Sequence, residues 1–135
     1  GLACGIEYLH TASLIFDDLP AMDDARLRRG MPCLHVAHGE AVAMLAALAL
    51  INRGYSLVWQ AVGKARTSQR RDEAAALVED CLGTGGLVGG QAYDLCGWRD
   101  GQTAGDVMEV AKRKTATLLR LPLVLPAIIG NGSRR

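Results

Sequence analysis

The sequence predicts an all-α fold, on three observations. Alanine (20) and leucine (19) supply most of the apolar side chains, whereas only six of 135 residues are aromatic. Ala and Leu lose little freedom on entering a helix, while strands favour β-branched and aromatic residues. Apolar residues also recur at three- and four-residue spacing, the period of a helix with one buried face. Finally, half of the residues are hydrophobic, and the length fits a single domain able to bury a core.

Taken in order, residues 3–16 carry Ile6, Leu9, Ala12 (or Ser13) and Phe16 at helical spacing. Pro20 is expected to end or kink that helix, because proline lacks the N–H that a further turn needs. Residues 19–34 are polar, with Gly30 and Pro32 as breakers. A second helix is expected over 39–60, apolar almost all round, which implies a buried position. Residues 63–73 are charged and read as a surface connection. A third helix carries Ala74–Leu82 and is expected to continue through the glycines to Leu95. Residues 97–105 read as a Gly-rich loop, a fourth helix spans 106–121, and the final GNGSRR reads as a frayed tail.

Composition excludes several function classes. Fifteen basic against fourteen acidic residues leave a formal charge of +1, so general attraction to nucleic acid or anionic membrane is not indicated. The apolar content is far above that of chains that cannot fold. The longest apolar run, Ala41 to Ile51, has eleven residues, too few by itself for a membrane span. Cys4, Cys33, Cys81 and Cys96 show neither the paired spacing of zinc sites nor a C-x-x-C redox motif. A reduced, cytoplasmic protein is therefore expected. No basic region precedes an apolar stretch as in a signal peptide. The chain starts with Gly in what reads as helix interior, so a central fragment of a longer, single-domain protein is expected.

The chemistry concentrates in residues 16–35. Asp17, Asp18, Asp23 and Asp24 place four carboxylates within eight residues. On an ideal helix Asp17 and Asp24 would stand about 20° apart. Such a group repels itself unless a hard cation relieves it, and carboxylate oxygens suit Mg²⁺, which is commonly shared with substrate phosphates. Arg26, Arg28 and Arg29 follow at once, and guanidinium forks bind phosphate oxygens in bidentate fashion. Acids first and arginines after is the pattern that a metal-chelated polyanion requires. Surface acids at a solvated helix end, or a salt-bridge network, remain the plainer alternatives.

The string HTASLIFDDLPAMDDARLRRGMPCLH, residues 10–35, resembles the first aspartate-rich motif of the trans-prenyl diphosphate synthases. The pattern D-D-x-x-x-x-D, R-R-G and P-x-x-H is met by Asp17, Asp18, Asp23, Arg28, Arg29, Gly30, Pro32 and His35. Its four-residue spacer is similar to that of bacterial and plant farnesyl and geranylgeranyl synthases, above all the bacterial carotenoid-type geranylgeranyl enzymes. Gly39-Glu40, Gly90-Gln91 with Asp94, and Lys114-Thr115 follow in the expected order. The resemblance covers nearly the whole chain.

That resemblance implies antiparallel helices around a central cavity, a homodimer, and Mg²⁺ held by Asp17 and Asp23 with Asp18 in support. It implies that Arg28 faces the allylic diphosphate, Arg29 the isopentenyl diphosphate, and that Gln91 and Asp94 line the wall near the diphosphate. Lys114 and Thr115 would contact the allylic leaving group. The implied reaction joins isopentenyl diphosphate to an allylic diphosphate without any protein nucleophile. By themselves Gln91 and Asp94 could be a polar helix end, and Lys112–Thr115 a solvated face. The glycines 83–90 do not match G-x-G-x-x-G; close helix approach explains them better. His35 and His38 are expected at the surface or in supporting roles.

Two family features are missing: the N-terminal region that binds isopentenyl diphosphate, and the second D-D-x-x-D motif, since no acid follows Thr115. The 135 residues alone are therefore expected to be inactive. A non-catalytic subunit of a heteromeric synthase and a class I terpene cyclase are the alternatives. The intact acids argue against the first and the R-R-G sequel against the second. Product length is expected to be set one turn before Asp17, where Ala12 and Ser13 are small. The floor then lies deeper, at Leu9 or Tyr8, and one turn (about 5.4 Å) is roughly one isoprene unit. A C20 geranylgeranyl product is expected, with C15 farnesyl as the alternative.

Overall fold

A computed structural model describes residues 1–96 and 103–130, and the fold is all-α as expected. Its helices are α1 (Leu2–Asp17), α2 (Leu34–His38), α3 (Glu40–Val62), α4 (Ser68–Leu82), α5 (Leu87–Cys96), α6 (Ala104–Ala111) and α7 (Thr117–Ile129). A π-helical turn, Lys112–Ala116, joins the last two. A two-residue hairpin, β1 (Leu27–Arg28) with β2 (Met31–Pro32), is the strand structure among the described residues. The chain resolves into two compact units, 1–60 and 61–135. The expected loop at 97–105 and tail at 130–135 fall largely outside the described residues.

In the first unit α1 stops where Pro20 demands it. Asp18 and Leu19 donate back to Leu14 and Phe16, and the chain then closes a tight turn with Met22 and Asp24 donating to the Leu19 carbonyl. Within the expected breaker region the hairpin is an addition that periodicity could not show. Its central residues, Arg29 (φ 53°) and Gly30 (φ 80°), are both left-handed, the signature of the two-residue turn that matches strand twist.

Helix α1 crosses α3 closely. A Cβ at Gly54 would stand 2.8 Å from Leu9 Cγ and 3.0 Å from the Gly5 carbonyl oxygen. Here the structure corrects the expected burial of residues 39–60. Ala43, Ala47, Gly54, Val58 and Val62 form one buried stripe, but Val42, Met44, Leu45, Leu48 and Trp59 are exposed. One face of α3 is packed, and the opposite apolar face is bare. The eleven-residue run also understates this helix: at 23 residues α3 is long and apolar enough, by those two measures, to cross a membrane.

In the second unit Thr67 caps α4 by accepting from the Arg70 amide at 3.2 Å, so the charged connection ends earlier than 73. Ala74, Leu77, Val78, Cys81 and Leu82 are the buried face. They pack on α7, where Leu121 and Leu125 are fully buried. Arg120 reaches Asp80 at 2.9 Å, and Arg70 donates to the Gly130 carbonyl. Those two contacts make α4 and α7 antiparallel. The expected continuous helix to Leu95 is broken at Gly83, which turns extended. The chain then passes so near the end of α4 that a Cβ at Gly86 would collide with the Cys81 carbonyl oxygen.

The fourth helix is likewise longer than expected, since α7 runs through Pro122 and Pro126 to Ile129. Both prolines are exposed, while Leu121 and Leu125 are buried beside them. Packing on α4 therefore outweighs two lost helical hydrogen bonds. Leu125→Ala should lower stability by about 2–5 kcal/mol, read as a fall in the urea midpoint. Pro122→Ala, which restores a backbone donor at an exposed position, should raise it.

Candidate functional site

The acidic end of α1 is built by backbone hydrogen bonds before any side chain is considered. The Asp23 amide donates to the Asp17 carbonyl at 2.9 Å, which brings the backbones of these two motif residues together despite the six-residue separation. Asp24 sits in the left-handed region at φ 48°, turning the chain away toward the hairpin. Asp17 is half-buried, whereas Asp23 and Asp24 are exposed.

Asp18 behaves differently. It is only 5% exposed, and its carboxylate accepts from Arg28 Nε at 2.9 and 3.0 Å and from Arg28 Nη2 at 2.6 Å. Cys33, itself buried, lies near the same carboxylate. Arg28 holds the Asp18 carboxyl below the usual range against the opposing effect of burial, and Cys33 adds to the lowering. Burial, then the Asp18 contact, pushes the Cys33 thiol up. A paired, hydrogen-bonded carboxylate of this kind is a structural anchor, because removing either partner strands a charge out of water.

The three expected metal residues thus divide. Asp18 turns inward to Arg28, and no group of three His, Cys, Asp or Glu side chains among the described residues gathers as a metal site. Consecutive residues project about 100° apart on a helix, so Asp17 and Asp18 cannot face the same way. Asp17 and Asp23 are brought together at the backbone. Two carboxylates are a donor set that fits Mg²⁺ shared with substrate phosphates. Of the arginines, Arg28 spends its fork on Asp18, and Arg29 is exposed at the hairpin tip.

The expected chain-length residues sit deeper on α1. Leu9 is buried against Gly54, and Ala12 is fully buried. Ser13 is half-buried, its hydroxyl donating to the His10 carbonyl at 2.8 Å. A ring at position 12 would overpack the core of the unit, costing about 1–3 kcal/mol. Position 13 is the more accessible of the two.

In the second unit Gln91 and Asp94 lie on α5, three residues apart, both partly buried. Lys114 Nζ stands 2.7 Å from Asp94 Oδ2. Lys114 and Thr115 belong to the π-helical turn, whose wide loop leaves a carbonyl out of register. The Thr117 hydroxyl donates to that of Arg113, and Arg113 Nε reaches Glu109 at 2.7 Å. Sequence reading missed this turn, the Asp94–Lys114 pair and the place of Cys33 near Asp18. A twenty-residue separation gives no periodic signal, and a cysteine among breakers none at all.

The family model described as Polyprenyl synthetase matches residues 1–135. The chain is 39% identical over 132 residues to a geranylgeranyl diphosphate synthase of Pantoea ananas, covering 98% of this chain and 43% of the relative. It is 36% identical over 130 residues to a farnesyl diphosphate synthase of Bacillus subtilis, covering 96% and 44%. Among solved structures, an apo FPP/GFPP synthase from Zymomonas mobilis superposes with a TM-score of 0.85 at 30% identity, covering 98% of this chain and 48% of that one. A geranyltransferase from Helicobacter pylori, complexed with magnesium and isoprenyl diphosphate, gives 0.80 at 32% identity, covering 96% and 42%. The chain spans less than half the length of these relatives.

If Asp18 anchors the hairpin, Asp18→Asn in the complete polypeptide should speed amide exchange across Leu27–Cys33 by about tenfold or more. Asp24→Asn, at an exposed position, should leave that exchange unchanged.

Proposed function

The chain belongs to the polyprenyl synthetase family, and we propose that the polypeptide containing it is a Mg²⁺-dependent trans-prenyltransferase. It joins isopentenyl diphosphate to an allylic diphosphate and stops at a C20, geranylgeranyl, product. The observation that carries this reading is the Asp23-to-Asp17 backbone bond, which brings these two residues of the acidic motif together while Asp18 is paired with Arg28. In the reaction the allylic C–O bond breaks, the diphosphate departs with the electron pair, and the isopentenyl double bond attacks the allylic carbon before a proton is lost.

Asp17 and Asp23 would hold Mg²⁺, which, when bound, supplies positive charge to the diphosphate oxygens. Lys114, as a compact cation, neutralises the charge that develops on the leaving group, with Thr115 beside it. Arg29 at the hairpin tip takes isopentenyl diphosphate. Arg28, clamped by Asp18, presents the guanidinium edge left over to the allylic diphosphate. Water must be kept from the cation, a task that aliphatic helix faces perform without offering a nucleophile.

Support for C20 comes from Ser13, small and half-buried one turn before Asp17. Relatives of both C20 and C15 type make farnesyl diphosphate the second reading. A non-catalytic subunit is disfavoured by the paired acids. The bare face of α3 supports a homodimer rather than a bilayer contact, because exposed Arg53 stands near the middle of that helix. A charge at bilayer depth costs about 2.5–3.5 kcal/mol. The free thiols of Cys4, Cys33 and Cys81 fit a reducing cytoplasm.

Asp17→Ala in the complete enzyme should cut turnover by about 10²-fold or more with the circular dichroism spectrum retained; near-normal turnover would end the metal reading. Ser13→Phe should shift the product from C20 to C15 on chromatography of the dephosphorylated alcohols. The 135 residues alone, less than half of the relatives' length, should give no turnover.

A further inference from the structure

Resting on the reading that Lys114 meets the diphosphate, we infer that one face of α5, formed by Gly90 and Asp94, positions that lysine. Gly90 does so by having no side chain, which lets α5 seat on the backbone of the π-helical turn. Asp94 does so by fixing the ammonium once the turn is seated. Neither residue needs to touch substrate.

A Cβ built on Gly90 would lie 2.7 Å from Arg113 Cβ, 2.9 Å from the Lys114 amide nitrogen and 3.0 Å from the Arg113 carbonyl carbon. Two of these are backbone atoms of the turn, so no side-chain rotation could make room; the turn itself would have to move. Gly85 offers the contrast, since its nearest neighbour would be Asp80 Oδ1 at 3.4 Å, an ordinary contact. Asp94 lies four residues beyond Gly90, hence on the same helix face, and it meets Lys114 Nζ at 2.7 Å.

The turn is also held along its own helix. Glu109 takes Arg113 from the preceding turn, and the Thr117 hydroxyl takes the Arg113 carbonyl from the following one. A π-helical turn carries one residue more than an α-turn and resets the direction of the side chains after it. Arg113 and Lys114 are therefore aimed by the turn, and α5 fixes where the turn stands. Electrostatic stabilisation of a leaving group is steep in placement, so a displacement on the order of 1 Å is enough to slow the reaction by about 10²-fold.

The test uses the complete polypeptide with Mg²⁺ and both diphosphates. Gly90→Ala and Asp94→Asn should each lower kcat/KM for the allylic diphosphate by about tenfold to a hundredfold. KM for isopentenyl diphosphate should change by less than about threefold, and Gly85→Ala should match the parent. Each variant combined with Lys114→Ala should be no slower than Lys114→Ala alone, because a residue acting through the lysine has nothing left to position. Parent-like kinetics in both single variants, or full additivity with Lys114→Ala, overturns the inference while leaving the diphosphate role of Lys114 standing. Near-normal activity of Lys114→Ala itself overturns that role instead. Should Gly90→Ala fail to fold, the Asp94→Asn pair of measurements decides alone.

Discussion

A carboxylate removed from water must bring its counter-charge with it, and the acidic end of the first unit is organised around that requirement. Asp18 is nearly buried, so Arg28 must fold back across ten residues to reach it, and the hairpin is the shortest path that delivers the guanidinium. The turn then has to accept a non-glycine residue, Arg29, in the left-handed region, at a cost of about 1–3 kcal/mol. Charge-assisted bidentate bonds of the kind Asp18 makes are strong enough to offset it. The buried Cys33 thiol adds to the lowering of the Asp18 carboxyl.

The second unit solves a related problem with backbone rather than charge. A lysine on an ordinary solvated helix has many rotamers and no fixed address. Lys114 is confined by a wide turn, by the α5 backbone at Gly90 and by a carboxylate at 2.7 Å. Both units thus pair a cation with an acid on a different element: Arg28 with Asp18 and Lys114 with Asp94. In each case the cation is held in place by a carboxylate of the protein itself, which is the kind of fixed charge that electrostatic preorganisation requires.

Helix α3 shows the limits of reading burial from composition. An apolar helix can be covered by its own chain, by another copy or by lipid, and the side chains are the same in all three. The buried stripe from Ala43 to Val62 is made of small residues and valines that admit close packing, whereas the bare face carries Leu45, Leu48 and Trp59. Larger side chains on the uncovered face are what an interface needs and what a solvated helix avoids.

The sequence alone determined the helical class, the end of α1 at Pro20 and the identity of the acidic and basic motifs, because these rest on local rules. Helix propensity, a missing proline N–H and the spacing of charges act within a few residues of where they are written. Tertiary structure decided the rest. It decided that Asp18 is buried against Arg28 while Asp23 stays exposed, and that Ala12 is core whereas Ser13 is not. It also decided that α7 survives two prolines and that Lys114 answers to Gly90 and Asp94. Each outcome depends on which surfaces remove one another from water, and that pairing is a property of the folded arrangement, with no period in the sequence to announce it.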